Sequence, residues 1–171
     1  MRVLITTEQI HQRLDELARE IGPQYRDRPL TIVGVLTGSL MFLADLVRRL
    51  DVPLRIALIQ ASSYRGKATT PGALHLGSEV LADVRGRHVL LLDDILDTGQ
   101  TLHHLVKHLH EQGALSVKVG VLLRKEGRQV HAVAADYVGF AIPNEFVVGY
   151  GLDFNDEYRQ LPHIAVLADE G

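Results

Sequence analysis

Large apolar residues fall along the chain in two alternating rhythms, one helical and one strand-like. Ile10, Leu14, Leu17 and Ile21 recur at helical intervals behind Thr6 and Gln9, whose spacing is that of a capping box, and Gly22-Pro23 ends the run. This predicts an amphipathic helix over residues 6–21. Leu30 to Leu36 is a nearly continuous, β-branched run and reads as a buried strand. It stops at Thr37-Gly38-Ser39, after which Leu40, Leu43, Leu46, Val47 and Leu50 form a second helical stripe. Leu54 to Ile59, His88 to Leu92 and Val117 to Leu123 read as further strands, and Thr101 to Gln112 as a helix closed by Gly113. Shorter strand-like runs follow at Phe146-Val147-Val148 and at Ile164 to Leu167. Asp93 to Gln100 is expected to be a polar loop. Residues 61–78, rich in Ser, Thr, Gly and Pro, are expected to form a long loop of the kind that serves function.

Buried strands alternating with helices imply an α/β fold. Parallel strands need crossover connections, and helical crossovers cover the sheet on both faces. A mostly parallel central sheet is therefore expected, within one domain spanning residues 1–171, a length that buries a real core without staples. Such sheets bind ligands beyond the carboxyl ends of their strands, so the loops that begin at Thr37, Asp93 and Arg124 are expected to share one rim.

Charge and composition remove several classes of function. Lys and Arg number 18 against 21 Asp and Glu, so there is no basic surplus for a nucleic-acid backbone or an anionic membrane surface. Cysteine is absent, which excludes disulfides, thiolate catalysis and zinc-thiolate sites and suits a reducing compartment. The apolar start, Met1 to Ile5, is too short for a signal peptide, and no run reaches the roughly 18 apolar residues of a membrane span. A cytoplasmic protein with neither membrane nor nucleic-acid partner is expected. His104 and His108 have a spacing that can bind zinc, but Leu102, Leu105, Val106 and Leu109 define the buried stripe of that helix and leave both histidines on its wet face, with no third ligand apparent.

The segment richest in chemistry is Val89-Leu90-Leu91-Leu92-Asp93-Asp94-Ile95-Leu96-Asp97-Thr98-Gly99-Gln100-Thr101. Carboxylates crowded at the end of a buried strand call for a cation or a polyhydroxyl ligand. Thr98, Gly99 and Thr101 add hydroxyls and the amides of a helix start, which suit a phosphate dianion. A solvated acidic turn is the plainer alternative. No Gly-x-x-x-x-Gly-Lys-Ser/Thr occurs, so a nucleoside triphosphate loop is not indicated.

This segment resembles the hallmark of the type I phosphoribosyltransferases: four apolar residues, two acids, two mostly apolar residues, then Asp and Thr-Gly-x-Thr. The stretch Asp136 to Asp153, with Phe146-Val147-Val148-Gly149-Tyr150-Gly151, is similar to the hypoxanthine-guanine branch, as are Val35 to Leu46, Ser62-Ser63-Tyr64 and Arg159-Gln160-Leu161-Pro162. The resemblance implies the fold of that family, with a small hood of terminal segments over the sheet. It also implies purine salvage, in which the phosphoribosyl group of phosphoribosyl pyrophosphate passes to N9 of hypoxanthine or guanine with Mg²⁺, in a homodimer or homotetramer.

Carried over residue by residue, the resemblance makes Asp97 the base that takes the N7 proton, with Asp93 and Asp94 facing the ribose hydroxyls and hydrated Mg²⁺. Thr98, Gly99, Gln100 and Thr101 would hold the substrate phosphate, while Thr37 and Gly38 would receive the pyrophosphate through backbone amides and a strained peptide bond. Ser63 and Tyr64 would begin a mobile loop that closes over the site, and Arg159 would pair with pyrophosphate. Lys125 would donate to the 6-oxo group, Phe146 would stack on the purine, Val147 would accept from the base edge through its carbonyl, and Asp153 would ligate a second Mg²⁺. From local sequence alone, Asp97 and Asp153 could instead shape turns, Lys125 could be a solvated charge, and Phe146 could be core. Thr37 stands where the family often has Lys, and Gln100 also replaces a frequent Lys. Residues 65–72 depart from the family's loop. Two other classes share the topology: a regulator that keeps the pocket and binds RNA or a partner, and a phospho-accepting receiver. The receiver explains neither Thr98-Gly99-x-Thr101 nor the carboxyl-terminal stretch.

Overall fold

The computed structural model describes residues 1–60 and 84–168, together with the backbone of 62–63 and 74–75. The chain begins with strand β1 (Arg2–Ile5) and helix α1 (Thr7–Ile21). The expected capping box is present: Gln9 N donates to Thr6 Oγ1 at 3.2 Å, and Thr6 N donates to Gln9 Oε1 at 2.8 Å. A 3₁₀ turn (Gly22–Tyr25) leads to β2 (Leu30–Leu36), α2 (Leu40–Val47) and β3 (Leu54–Gln60). Two short strands, β4 (Ser62–Ser63) and β5 (Leu74–His75), pair antiparallel. Then come β6 (His88–Leu96), α3 (Gln100–Glu111), β7 (Ser116–Lys125), β8 (Tyr137–Ile142), β9 (Val147–Val148) and β10 (Ile164–Val166).

The central sheet has the order β3-β2-β6-β7-β8, and every neighbouring pair is parallel. Successive side chains of a strand face opposite ways, so β6 feeds two cores. Leu90 and Leu92 join Leu14, Leu17, Phe42 and Leu46 of α1 and α2 on one face, while Val89 and Leu91 join Leu102, Leu105 and Leu109 of α3 on the other. Both faces are covered, as the sequence pattern requires. Chain order reverses at β2, with β3 on one side and β6 on the other, and a crevice opens at that switch point.

A second sheet, β1-β10-β9, is antiparallel and draws on segments near both termini. Its Ile5, Val147 and Ile164 belong to the same buried cluster as Leu90 and Leu92, which fixes the hood to the main sheet. The outer edge of β8 is partly covered by α1: Arg13 Nε donates to Gly139 O at 2.9 Å and Nη2 donates to Val138 O at 2.8 Å.

Two expectations need correction. Asp93 to Gln100 is not all loop, because β6 keeps its ladder with β7 as far as the pair Leu96↔Arg124, so Asp93 and Asp94 stand on the strand itself. β1 and β8 were not among the expected strands: β1 is only four residues long and two of them are exposed, and β8 is an edge strand interrupted by Gly139.

Candidate active site

β6 delivers Asp93 and Asp94 to the rim beside the turn after β2. Gly38 is required there, because a Cβ would collide with Asp94 Oδ2. The Leu36–Thr37 peptide is cis. On the far side Gly151, at φ +101°, faces the Gly38 carbonyl so closely that a Cβ would collide with it as well. The two adjacent carboxylates differ. Asp93 is 8% exposed, and burial followed by the charge of Asp94 holds its proton affinity well above the ordinary carboxylate range. Burial also raises Asp94, offset in part by hydrogen bonds from Asp93 and the Ile95 amide and by the Arg159 charge. Their backbone partners are short: Asp94 N donates to Asp93 Oδ1 at 2.8 Å and Ile95 N donates to Asp94 Oδ1 at 2.7 Å.

Beyond β6 the chain turns through Thr98 and Gly99, the latter at φ +85°, into α3. No side chain of the described residues caps Gly99 as the helix start, and Gln100 N makes only a long 3.4 Å donation to Thr98 Oγ1. The first amides of a twelve-residue helix therefore face the crevice with their dipoles aligned, an arrangement that attracts an anion. A cleft of about 300 Å³ is lined by Gly38, Asp93, Asp94, residues 97–101, Asp153 and Arg159. Arg159 is held in place by donating from Nη1 to Gly151 O at 2.6 Å and by ion pairs with Asp153 at 3.2 Å and Asp156 at 3.4 Å.

A second recess of about 220 Å³ adjoins the first and is lined by Lys125, Phe146, Val147 and Leu152. Asp94, Ile95, Asp97 and Asp153 line both, so the two form one continuous site. Asp97 stands at the junction. Its Oδ2 lies 3.9 Å from Lys125 Nζ, and its Oδ1 accepts from Arg128 Nε at 2.9 Å. Phe146 is 50% exposed and meets Phe154 edge to face, with centroids 5.7 Å apart, so it is not a core residue; Val147 is buried in β9.

Most residues singled out in the sequence thus converge on one rim. Thr37 does not: its side chain is exposed and does not line the cleft. Ser63 lies in β4, of which only the backbone is described, and Tyr64 lies outside the described residues. Asp153 does two things, pairing with Arg159 and accepting from Asp156 N at 2.9 Å as a turn former. Arg128 and Gln129 were not singled out by sequence, since both sit in a polar turn with no periodicity; Gln129 Nε2 donates to Lys125 O at 2.7 Å. Rings of His103, His104 and His131 gather beside α3, with centroids 5.4 to 6.5 Å apart, but no three His, Asp or Glu of the described residues are arranged to hold a metal ion.

The donor set nevertheless suits Mg²⁺. Asp93 and Asp94 are two adjacent buried carboxylates, whose proton affinity is raised by burial, and Asp153 lines the same cleft. Mg²⁺ characteristically takes one or two carboxylates and completes its shell with water and phosphate oxygens.

Comparison with known proteins agrees with this geometry. The phosphoribosyl transferase domain model matches residues 6–155. The hypoxanthine-guanine phosphoribosyltransferase of Streptococcus pneumoniae is 41% identical over 169 residues, which cover 99% of this chain and 94% of that protein. That of Mycobacterium avium is 40% identical, covering 96% of this chain and 84% of the relative. Among solved structures, a hypoxanthine phosphoribosyltransferase from Staphylococcus aureus superposes with a TM-score of 0.91 at 38% identity, covering 98% of this chain and 91% of that one. A hypoxanthine-guanine phosphoribosyltransferase from Bacillus anthracis gives 0.91 at 37% identity, covering 98% and 99%. A parallel sheet with acids at its switch point, an uncapped helix start beside them and relatives matched along nearly their full length place the chain in the phosphoribosyl transferase domain family, within its hypoxanthine-guanine branch.

Proposed function

We propose that the chain salvages purines, transferring the 5-phosphoribosyl group of phosphoribosyl pyrophosphate to N9 of hypoxanthine or guanine with release of pyrophosphate. The observation that carries this reading is the shared wall of the two recesses. A phosphate-seeking cleft and a pocket for a flat ring meet at Asp97, where a sugar carbon and a base nitrogen have to meet.

The C–O bond to pyrophosphate breaks as N9 bonds to the anomeric carbon, and the ribose gains positive charge in the transition state, as in glycoside chemistry. Asp93 and Asp94 face the ribose hydroxyls and favour the cationic sugar. Residues 98–101 hold the 5-phosphate through the helix-start amides. The Gly38 turn and Arg159 receive the pyrophosphate. Asp97 accepts the proton that leaves N7. Lys125 donates to the 6-oxo group, where adenine has no acceptor to offer, and Phe146 stacks on the ring while the Val147 carbonyl accepts from its edge. Asp93 and Asp94 would hold one hydrated Mg²⁺ and Asp153 a second, and the metal would supply charge neutralisation for the leaving pyrophosphate.

We further infer that residues 1–171 work as one domain, supported by the single buried cluster that joins the hood to the sheet. A cytoplasmic location fits the lack of cysteine and the fact that no helix among the described residues is long and apolar enough to cross a membrane. A homodimer or homotetramer fits Ile56 and Leu58, which are 50% and 43% exposed two residues apart on the edge strand β3.

The test mixes the protein with phosphoribosyl pyrophosphate, Mg²⁺ and hypoxanthine, guanine, xanthine or adenine, and follows nucleotide and pyrophosphate. Turnover of 6-oxopurines but not adenine is expected, with kcat lowered about 10²- to 10⁴-fold in Asp97→Asn. Binding of phosphoribosyl pyrophosphate without turnover of any base would overturn the reading and favour a regulator.

A further inference from the structure

Asp97 is only half-buried, with a side chain 38% exposed. A carboxylate at the apex of a turn has a broad terminal torsion and can swing between the base pocket and the neighbouring phosphate cleft, where Arg159 and the helix-start amides attract it. A base that must meet one nitrogen of a ring cannot be left to swing, because a misplacement of about 1 Å costs up to about 10²-fold in rate.

We infer that Arg128 is the positioning residue that prevents this, holding one oxygen of Asp97 so that the other faces the base pocket. The two cations near Asp97 divide its oxygens: Arg128 Nε donates to Oδ1 at 2.9 Å, and Oδ2 is the oxygen near Lys125 Nζ, at 3.9 Å, which lines the base recess. Arg128 is itself anchored. Gly127, at φ +70°, turns the chain back after β7. Val130 N and His131 N then donate to Thr98 O at 2.9 and 3.0 Å. Gln129 Nε2 donates to Lys125 O at 2.7 Å and, more weakly, to Asp97 O at 3.4 Å. The turn that carries Arg128 is thereby fastened to Asp97, Thr98 and Lys125, so that the guanidinium, the base and the base pocket keep a common frame.

A stabilising role does not account for the pair. Arg128 is 45% exposed and Asp97 38%, and ion pairs that open to solvent contribute on the order of 0–1 kcal/mol. Removing Arg128 should leave the fold intact while releasing the carboxylate.

The inference rests on Asp97 being the base, and the experiment separates the two. Arg128→Met, Arg128→Lys, Asp97→Asn and the double variant Arg128→Met/Asp97→Asn are compared for kcat, for the KM of hypoxanthine and of phosphoribosyl pyrophosphate, and for Tm. Arg128→Met should lower kcat about tenfold, with the KM for phosphoribosyl pyrophosphate and the Tm close to those of the parent, and Arg128→Lys should recover most of the loss. On the Asp97→Asn background the Met substitution should cost nothing more, because a residue that acts through Asp97 has nothing left to act on. An unchanged kcat in Arg128→Met, or the same tenfold loss on both backgrounds, overturns the positioning role while leaving Asp97 as the base. Full activity of Asp97→Asn overturns the assignment of Asp97 and this inference with it.

Discussion

The two ends of β6 use polar residues in opposite ways. Where the strand begins, polar groups are tied into the neighbouring strands: Arg87 donates to Thr31 Oγ1 and to Leu30 O, both at 2.7 Å, His88 N donates to Pro29 O at 2.8 Å, and His88 Nδ1 lies 2.7 Å from Ser116 Oγ. Where it ends, two adjacent carboxylates are packed against the Gly38 turn with proton affinities raised by their own burial. The same ladder of hydrogen bonds supports both ends. The difference teaches that the carboxyl end carries charge the fold would be better off without, and that the amino end contributes the stability that tolerates it.

The strongest way to break that contrast is to neutralise the charged end. Asp93→Asn with Asp94→Asn keeps a carbonyl acceptor for the Asp94 and Ile95 amides but removes both charges. Activity should fall on the order of 10²- to 10³-fold, since the electrostatic help to the cationic sugar is lost. Stability should rise by about 1–2 kcal/mol in metal-free buffer near pH 8, read as a higher Tm. The sign follows from linkage. Asp93 binds its proton more tightly when folded than its ordinary value of 3.8, so its contribution to stability is complete below that value and is lost as pH rises through the folded-state value. The advantage of the double variant should therefore shrink as the pH is lowered toward the ordinary carboxylate range. A lower Tm at pH 8 for the variant would show that the charged end is not a burden.

A smaller effect, of opposite kind, is expected at the other end. Arg87→Ala removes a charged donor from two acceptors, one of them on the fully buried Thr31, and should cost about 2 kcal/mol. Denaturant unfolding measures this. The kcat/KM should stay within about twofold of the parent, because none of the described residues at that end lines the cleft. A loss of activity matching the loss of stability would mean that the two ends are not separable.

The same contrast explains what could be read from sequence. The middle of β6 was legible because both faces are covered, so Val89 to Leu92 form an unbroken apolar run, and α1 and α3 were legible because each buries one stripe. β8 was not, because Gly139 breaks its run and it lies at an edge of the sheet, which Arg13 of α1 partly covers. Within the site, Asp93, Asp94 and Asp97 were found because they lie within one contiguous motif. Lys125 reaches Asp97 only through the register that sets Leu96 beside Arg124, and it came from the family resemblance. Arg128 reaches Asp97 from a turn, by side-chain length alone, and neither pattern nor motif marked it.

The finest test of the comparison is Ser116→Ala, which removes the hydroxyl 2.7 Å from His88 Nδ1 and nothing else. Both residues are half-buried, so water can replace the lost partner, and the cost should be about 0.5–1 kcal/mol, or roughly 1–4 °C in Tm for a chain of this length. Catalysis should be untouched. Paired with Arg87→Ala, the substitution asks whether the amino end acts as one network or as separate bonds. Arg87 and His88 are neighbours in sequence, but Arg87 lies just before β6, and their side chains reach different strands, Thr31 on β2 and Ser116 on β7. The two losses should then add to within about 0.5 kcal/mol. A coupling larger than that would mean that β2, β6 and β7 share a strained register at this end, and that stability there is distributed through the sheet.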